Sequence, residues 1–431
     1  MTHGADFYSD EAWTAGIIGL GYVGLPLAVT AVESGLSVIG YDVDETYVAR
    51  LRSGDSPIED VTDEQLAAAL VSGLDLTTDV EQLRSVDAVF ICVPSPLGRN
   101  REPDLSYIRA AADTVRHIAH PRMLVSLEST TYPGTTEDFI VPAVTEGGLV
   151  LDEDVWVAFS PERVSPGDEM KTGSIPKVVG GVTPDSTEVA VAAYRRFVDS
   201  VHPVASAAAA EMAKLLENTY RAVNIGLANE MSQLANALGI DIWEVIDAAA
   251  TKPFGFQAFY PGPGVGGHCI PLDPQFLAWR AREANFATRF IDLAEQINSG
   301  QPIYTANRIS AMINEQRLPV YGTEVLAVGI AYKPNIADDR ESAAIDVLRE
   351  LESHGAIVSV LDPVVGPERI RHHGFQPVDQ SDDLSRFAAA VVLTDHDAID
   401  YAAIAAAVPV VFDAKGTFRR RGIVADNVIA L

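Results

Sequence analysis

The chain has 431 residues, which exceeds the roughly 250–300 residues that one hydrophobic core supports, so two or three domains are expected. Hydrophobic residues make up 48% and charged residues 21%, and this composition excludes a disordered or fibrous chain. The 60 acidic residues outnumber the 31 Lys and Arg residues, and the formal net charge of -29 argues against nucleic acid or an anionic membrane as a partner.

The first part of the chain alternates between strand-like and helix-like segments. After a polar, acidic leader at residues 1–11, strands are predicted at 15–19, 37–41, 88–93, 123–127 and 155–159, and helices at 24–34, 63–71 and 105–119. This alternation predicts a parallel, doubly wound sheet with helices on both faces. We assign this α/β domain to residues 1–203.

The middle of the chain is predicted to be helical. Residues 205–238 contain no Pro and one internal Gly, which favours one long helix, and residues 242–250 predict a second. Residues 254–274 are dense in Gly and Pro, so neither a helix nor a strand fits them, and we expect a functional loop there. The predicted central domain covers residues 204–314.

A second alternating block follows. Strands are predicted at 324–329, 357–361, 388–393 and 410–412, with a helix at 343–353, in a domain of residues 315–431. The predicted fold class is therefore α/β, with two Rossmann-like doubly wound domains joined by a central helical domain that contains a long helix. The two α/β blocks are candidates for distant structural relatives.

Cysteine usage and the N-terminus indicate the compartment. Cys92 and Cys269 are too few for a disulfide framework, which favours a reducing cytoplasm. The leader lacks the basic start and apolar run of a signal peptide, and no segment reaches the ~20 apolar residues of a membrane span. We therefore expect a cytoplasmic protein that does not associate with a membrane.

Lysine is scarce in this chain, which has six, at positions 171, 177, 214, 252, 333 and 415. Adaptation to high salt explains both the scarcity and the acidic surface, because salt screens a surface that repels itself. The alternative is that the few remaining lysines are placed for chemistry. We favour salt adaptation as the source of the bias.

A glycine motif lies between the first predicted strand and the first predicted helix, as Gly19-Leu20-Gly21-Tyr22-Val23-Gly24. Its glycines let the backbone approach a pyrophosphate at the helix N-terminus, and Asp42, at the end of the second strand, is placed to accept hydrogen bonds from a ribose. The pattern predicts dinucleotide binding rather than a mere tight turn. Asp42 favours NAD over NADP because its carboxylate repels a 2′-phosphate.

The Gly- and Pro-rich loop delivers a cysteine. Its sequence is Pro261-Gly262-Pro263-Gly264-Val265-Gly266-Gly267-His268-Cys269, and Asp273 follows four residues later. A cysteine is usually a small buried hydrophobe, and Cys92, on an apolar strand, fits that description. A cysteine at the end of a glycine-rich loop is better explained as a nucleophile, so we predict that role for Cys269.

Several motifs in order resemble the UDP-glucose/GDP-mannose dehydrogenase family, and within it the branch that acts on UDP-N-acetylhexosamines. They are residues 16–26, Ser129-Thr130-Thr131-Tyr132-Pro133-Gly134-Thr135-Thr136, Ser160-Pro161-Glu162-Arg163, the cysteine loop, 331–335 and 340–342. The resemblance covers nearly the whole chain. Residues 251–256, ahead of 259–262, are most similar to UDP-N-acetylglucosamine 6-dehydrogenases.

The resemblance implies that Cys269 is the nucleophile and that Lys214 and Asn218 lie near the reacting C6 atom of the sugar. Their i, i+4 spacing places both on one face of a helix, as two groups aimed at one oxygen require. The remaining catalytic residues it implies are Asp273, near the lysine, and Thr131 with Glu162, associated with an ordered water.

The resemblance also implies a cofactor site and a substrate site, and it implies no metal. The residues expected to bind NAD are Gly19, Gly21, Tyr22, Val23, Gly24, Asp42, Ser95, Thr130 and Arg340. The residues expected to bind the substrate are Glu162, Arg163, Val164, Lys214, Asn218, Lys252, Tyr260, Gly264, Gly266 and Lys333. Where the glucose branch has a substrate-contacting arginine, this chain has Pro253, with the adjacent Lys252 as the candidate replacement.

The implied activity is a four-electron, NAD-dependent oxidation of the C6 alcohol of a UDP-N-acetylhexosamine, with UDP-N-acetylglucosamine preferred, for surface polysaccharide or glycan synthesis. Asp273, coupled to Lys214 through a water, takes the alcohol proton. Cys269 holds the aldehyde as a thiohemiacetal, which becomes a thioester. Water near Glu162 and Thr131 then releases the uronic acid.

Other functions remain open at this point. UDP-N-acetylmannosamine and UDP-glucose are alternative substrates. A two-electron β-hydroxyacid dehydrogenase shares the glycine motif and a helical second domain, but it needs no nucleophilic cysteine and no second α/β block. A nucleotide-sensing module without catalysis is disfavoured by the intact catalytic set. We expect a homodimer that forms across the long helix.

Overall fold

The structure is a computed structural model that describes residues 3–10, 12–58, 60–98, 101–163, 172–267 and 269–431. Its chain forms two compact units, residues 1–217 with 275–286 and residues 218–274 with 287–431. The first boundary falls inside a long helix. The two domain boundaries predicted from the sequence, at 203/204 and 314/315, stay predictions.

In chain order, the α-helices of the described residues are α1 (His3–Asp10), α2 (Gly24–Glu33), α3 (Glu45–Arg52), α4 (Asp63–Ser72), α5 (Ser106–Ile118), α6 (Val141–Thr145), α7 (Pro184–Tyr194), α8 (Ala207–Leu238), α9 (Ile242–Ala250), α10 (Asp273–Glu283), α11 (Arg289–Glu315), α12 (Ala343–Ser353), α13 (Pro367–His372), α14 (Tyr401–Ala407) and α15 (Thr417–Arg420). A π-helical turn, Thr136–Ile140, precedes α6. None of these helices has the combination of length and apolar sequence that crossing a membrane requires.

The first unit is built on an eight-stranded sheet. Its strands are β1 (Thr14–Ile18), β2 (Ser37–Tyr41), β3 (Leu74–Thr77), β4 (Ala88–Ile91), β5 (Met123–Leu127), β6 (Val155–Phe159), β7 (Lys177–Gly181) and β8 (Val201–Pro203). They lie in the order β3-β2-β1-β4-β5-β6-β7-β8. The predicted parallel arrangement holds for every neighbouring pair except β6 and β7, which are antiparallel.

Each face of this sheet has its own hydrophobic core. Ala88 and Phe90 of β4 belong to one cluster, and Val89 and Ile91 belong to another. Because successive strand residues point to opposite faces, the two clusters lie on opposite sides of the sheet. This explains why β4, β5 and β6 are buried at every residue and contain almost only apolar side chains.

The leader forms the helix α1, which the polar sequence did not predict. Tyr8 is fully buried, and its hydroxyl donates to the carbonyl oxygen of Asp87. The Tyr8 ring also contacts Trp13 and Trp156 edge to face. Burial of one large aromatic side chain therefore stabilises a helix whose other residues are mostly polar.

The second unit contains a six-stranded sheet in which all neighbouring strands are parallel. Its strands are β9 (Glu324–Val328), β10 (Ile357–Leu361), β11 (Gln376–Pro377), β12 (Ala389–Val392), β13 (Val411–Asp413) and β14 (Val428–Ala430). The order β11-β10-β9-β12-β13-β14 repeats the strand order of β1 to β6 in the first sheet. The predicted fold class, with two Rossmann-like domains and a helical region between them, is confirmed.

An equivalent hydrogen bond is found within each of the two α/β blocks. Asp42, after β2, accepts a hydrogen bond from the Leu20 backbone N–H at 3.0 Å. Asp362, after β10, accepts one from the Ile330 backbone N–H at 2.7 Å. In both blocks an acid at the end of the second strand therefore fixes the loop that follows the first strand.

Within the second unit, α8 and α11 are joined by buried amide side chains. Asn229 donates to Asn298 at 3.0 Å, and Gln233 donates to Gln301 at 2.9 Å. A Cβ added at Gly226 would lie 3.4 Å from the Cα of Ala294, so this glycine lets the helix backbones approach. Buried polar side chains must be paired, and these pairs therefore fix the register between the two helices.

Candidate functional site

The glycine motif forms a tight turn into α2 whose three glycines have different surroundings. Gly19 has φ +90, and a Cβ there would lie 2.6 Å from the carbonyl oxygen of Cys92. A Cβ on Gly24 would lie 1.8 Å from the carbonyl oxygen of Gly19, whereas a Cβ on Gly21 would meet nothing within 4 Å. Gly19 and Gly24 are thus needed by the turn itself, and Gly21 borders open space that a pyrophosphate can occupy.

Three further predicted cofactor residues of this unit follow the carboxyl ends of parallel strands. Asp42 follows β2, and its second carboxylate oxygen accepts from the Asp44 backbone N–H at 3.1 Å. Ser95 follows β4, and its buried hydroxyl has no hydrogen-bond partner among the described residues. Thr130 follows β5. Nucleotides bind at this edge of a doubly wound sheet, so the residues present fit NAD.

Tyr22 and Val23 complete the predicted cofactor set at the start of α2. Tyr22 is about half exposed, and Val23 precedes the first residue of the helix. Arg340 belongs to the second unit, where its guanidinium forms an ion pair with Asp338 at 2.7 Å. Its predicted contact with the cofactor stays a prediction.

Lys214 and Glu162 are brought together in the first unit. The Lys214 ammonium donates to the backbone carbonyl oxygen of Glu162 at 2.6 Å. Arg163 forms an ion pair with Glu217 of α8 at 2.6 Å. The segment that follows β6 is therefore held on α8 by the charged side chains of Lys214 and Arg163. The predicted substrate residue Val164 lies outside the described residues.

Lys177 is a neighbour of Glu162 that the sequence motifs did not single out. It is almost fully buried on β7 and forms ion pairs with Glu128 and with Glu162, the latter at 3.2 Å. Burial opposes a charged lysine, but the two carboxylates together raise the pKa of Lys177, so it stays protonated. Tyr194 donates to Glu128 on the other side. The signal in the sequence was a lysine at the first position of an otherwise apolar strand.

Thr131 is fully buried in the loop after β5. Its hydroxyl donates to the hydroxyl of Thr135 at 2.6 Å, which donates in turn to the Tyr132 backbone carbonyl oxygen at 2.8 Å. The predicted water-binding threonine is thus part of a chain of hydroxyl groups. These hydrogen bonds within the loop therefore fix the position of the Thr131 hydroxyl group.

In the second unit the cysteine loop leads directly into α10. Cys269 is exposed, and its backbone carbonyl oxygen accepts from the backbone N–H of Leu272 and from that of Asp273, at 3.2 and 2.9 Å. Asp273 begins α10 and is almost fully buried. The Asn218 amide donates to its carboxylate at 2.5 Å. The structure therefore joins two predicted catalytic residues, one turn of backbone away from the predicted nucleophile. His268 lies outside the described residues.

The glycines of this loop are required by packing. Gly264 has φ +152, and a Cβ there would lie 2.7 Å from the Ala343 Cβ atom. A Cβ on Gly266 would lie 2.9 Å from the carbonyl oxygen of Glu341. The Gly267 backbone N–H donates to that same oxygen at 3.2 Å. Close packing explains these glycines without a ligand, so their predicted contact with the substrate stays a prediction.

Tyr260, Lys252 and Lys333 are the other predicted substrate residues of this unit. The Tyr260 ring stacks on Trp243 with centroids 5.4 Å apart, and its hydroxyl donates to Asp247 at 2.8 Å. The Lys252 ammonium lies over the Phe254 ring, 5.1 Å from its centroid. Lys333 follows β9, in the loop held by Asp362. Their roles toward a substrate stay predictions.

Comparison with known proteins gives a consistent result. The NAD binding, central and UDP binding domain models of the UDP-glucose/GDP-mannose dehydrogenase family match residues 14–198, 208–300 and 326–420. A UDP-N-acetyl-D-glucosamine 6-dehydrogenase of Pseudomonas aeruginosa is 36% identical over 84% of this chain and 86% of its own length. A UDP-N-acetyl-D-mannosamine dehydrogenase of Pyrococcus horikoshii is 36% identical over 88% of each chain. The solved structure of a UDP-D-ManNAc dehydrogenase from Pyrococcus horikoshii matches with a TM-score of 0.85 and 31% identity, over 97% of this chain and 98% of that one.

Proposed function

Since this chain belongs to the UDP-glucose/GDP-mannose dehydrogenase family and is an NAD-dependent UDP-sugar dehydrogenase, we propose that it oxidises UDP-N-acetylglucosamine at C6 to the uronic acid. Overall identity does not choose the sugar, because relatives acting on the glucosamine and mannosamine forms are equally similar. The residues that favour the glucosamine form are those of the loop at 251–262, which leads to Cys269.

The hydrogen bond between Asn218 and Asp273 carries the proposed mechanism. It pairs an amide donor with a carboxylate at the start of the helix that follows Cys269. Asp273 takes the proton of the C6 alcohol, and the Lys214 ammonium and the Asn218 amide stabilise the negative charge on that oxygen. When bound, NAD accepts a hydride from C6 in each of the two oxidations.

Cys269 keeps the half-oxidised sugar on the chain. Its thiolate adds to the aldehyde carbon and gives a thiohemiacetal, and the second oxidation converts that adduct into a thioester. Water held by Thr131 and Glu162 hydrolyses the thioester, which releases the uronic acid and restores the thiol. In this scheme Lys177 holds the Glu162 carboxylate through its ion pair.

The long helix offers a surface for the proposed homodimer. Tyr220, Leu227 and Leu234 recur at intervals of seven residues on α8, and each is about half exposed. Exposure of three large apolar side chains to water on one face of a helix is unfavourable. We therefore propose that this row packs against the same row of a second copy.

A substrate panel tests the proposed activity. UDP-N-acetylglucosamine, UDP-N-acetylmannosamine, UDP-glucose and GDP-mannose are each incubated with NAD, and NADH formed per substrate consumed is measured. We expect the highest kcat/KM with UDP-N-acetylglucosamine and a yield of two NADH, because one site performs both oxidations. UDP-xylose, which has no C6, is the matched control and should yield none.

Two outcomes would contradict this assignment. A higher kcat/KM with another sugar of the panel would transfer the proposal to that sugar. A yield of one NADH would remove the thioester step and favour two-electron chemistry of the β-hydroxyacid dehydrogenase type.

A further inference from the structure

Glu211 is a fully buried acid on α8, three residues before Lys214. One of its carboxylate oxygens accepts from the Thr136 backbone N–H at 2.9 Å and from the Thr136 hydroxyl at 2.7 Å. The other accepts from the Gly134 backbone N–H at 2.6 Å. A single carboxylate thus binds three donors of one short segment.

These donors lie where a helix begins. Thr136 opens the π-helical turn that continues into α6, and the first N–H groups of a helix have no partner inside it. Buried N–H groups need an acceptor, and a negative charge at a helix N-terminus is favourable. Glu211 therefore caps this turn from a different element, in the place of a local Ser, Thr or Asp cap.

The capped segment is the end of the loop that carries Thr130 and Thr131. Thr131 is bonded to Thr135 through their hydroxyl groups, and Thr135 lies between the two residues that Glu211 binds. Lys214 lies one helical turn after Glu211. The carboxylate consequently links the loop proposed to bind the cofactor and the water directly to the helix that carries Lys214, the proposed oxyanion donor.

We propose that Glu211 is a positioning residue for the dehydrogenase reaction, whose ionised carboxylate holds the Thr130–Thr131 loop on the helix that carries Lys214. The inference rests on the proposed function, because the loop and the lysine take their roles from it. Protonation places a hydrogen on one carboxylate oxygen and removes the negative charge, so the group accepts hydrogen bonds from the N–H groups of Gly134 and Thr136 less strongly.

Glu211 titrates in the physiological range. Burial raises its pKa to about 7, although the hydrogen bonds from Thr136 and Gly134 pull in the opposite direction. The neighbouring Glu137 raises the pKa further. Other charged groups near this segment include Arg280, which donates to the Pro133 carbonyl oxygen at 3.1 Å, Asp138 beside Gly134, and Arg109, which lies over the Phe139 ring. Lys214 lies on the same helix as Glu211.

The sign of the pH effect differs between activity and stability. The folded-state pKa lies above the ordinary value of 4.5, so the stabilising contribution of the proton is complete below that pH and is lost as pH rises through about 7. Activity changes in the opposite direction, because the ionised form holds the three donors most strongly. If Glu211 had a purely structural role, activity and stability would change in the same direction with pH.

The test is the pH profile of kcat in parent and Glu211→Gln enzyme, with saturating NAD and UDP-N-acetylglucosamine. Glutamine has the shape of the protonated acid, with an amide donor where the proton would be. We expect the parent rate to rise with pH through about 7 and the variant to remain near the low-pH rate of the parent at every pH. The difference above that pH should be roughly 10- to 100-fold in kcat, with little change in KM, as for a misplaced reacting group.

Glu137→Gln is the matched control, because it removes the neighbouring charge and leaves Glu211 intact. We expect it to keep the rise in rate but to move it to lower pH. This arm uses the native Glu211, so it also tests the inference if Glu211→Gln does not fold.

The outcomes separate two failures. A parent that oxidises no UDP-sugar overturns the proposed function and this inference with it. An active parent whose rise in rate persists unchanged in folded Glu211→Gln, or does not move in Glu137→Gln, overturns the inference alone.

Discussion

The two cysteines of this chain have opposite environments. Cys92 is buried just after β4, beside Gly19, and burial raises the pKa of its thiol well above the ordinary value. Cys269 is exposed at the end of a loop and just before the buried Asp273. Only the thiolate is a nucleophile, so the buried thiol is unsuited to the covalent step.

Substitution of Cys269 should separate the first oxidation from everything after it. In Cys269→Ala no thiohemiacetal forms. Catalytic residues that act as a unit depend on one another, so the loss of one should lower steady turnover to the acid by ~10³ or more. Cys269→Ser retains a weak nucleophile and should accumulate an acyl-enzyme that hydrolyses slowly. Intact mass after incubation with substrate and NAD should show an added uronyl group on the serine variant alone.

Cys92→Ala is the control for this prediction. This change removes the same thiol group from a buried, structural position, so the yield of two NADH per substrate should persist. Near-normal turnover by Cys269→Ala would contradict the covalent mechanism.

At the scale of elements, the sequence predicted those whose pattern is local. The helix α8 was placed within two residues because its sequence lacks Pro, and β1, β2, β5 and β6 were placed by continuous apolar runs. The helix α1 was missed because its stability comes from Tyr8, whose hydroxyl and whose contact with Trp156 reach residues more than 70 positions away. The antiparallel direction of β7 has no local signature at all.

In the candidate site, too, the sequence predicted residues in local patterns and missed those that depend on distant contacts. Cys269 and the glycine motif were found because each is a contiguous pattern. Lys177 and Glu211 were not, since their partners Glu128 and Thr136 are distant in sequence and only the fold brings them together. The predicted loop at 254–274 was two residues too long, because Asp273-Pro274 begins α10 and Pro is favourable in the first turn of a helix.

The row on α8 gives a prediction for the dimer. Leu227→Glu places a charge in the middle of three apolar side chains, and burial of an unpaired charge at an interface is strongly unfavourable. We expect the parent to elute as a dimer, and the variant as a monomer, in size-exclusion chromatography with light scattering. Asn236→Glu adds the same charge at an exposed position on the opposite side of α8 and should leave the dimer intact. A parent that is monomeric, or a Leu227→Glu dimer, would contradict the proposed interface.

The whole molecule carries its charge unevenly. Some acidic side chains are paired, as Asp395 is with Arg420 and Arg421. Others are exposed and closely spaced in the sequence, as Asp379, Asp382 and Asp383 are. Short-range repulsion within such groups adds to the long-range repulsion from a net charge of -29.

These two ranges of repulsion predict how stability depends on salt. The Debye length falls from ~30 Å at 0.01 M to ~10 Å at 0.1 M and ~3 Å at 1 M, so dilute salt screens the long-range part and molar salt the repulsion between adjacent acids. We expect the thermal midpoint to rise steeply up to about 0.1 M NaCl and more slowly up to molar concentrations. Choline chloride should act like NaCl, whereas sorbitol at equal osmolality should not reproduce the steep phase, because it carries no charge. A midpoint that is flat or falls with NaCl would show that paired charges outweigh the repulsion, and the acidic bias would then need a cause other than salt adaptation.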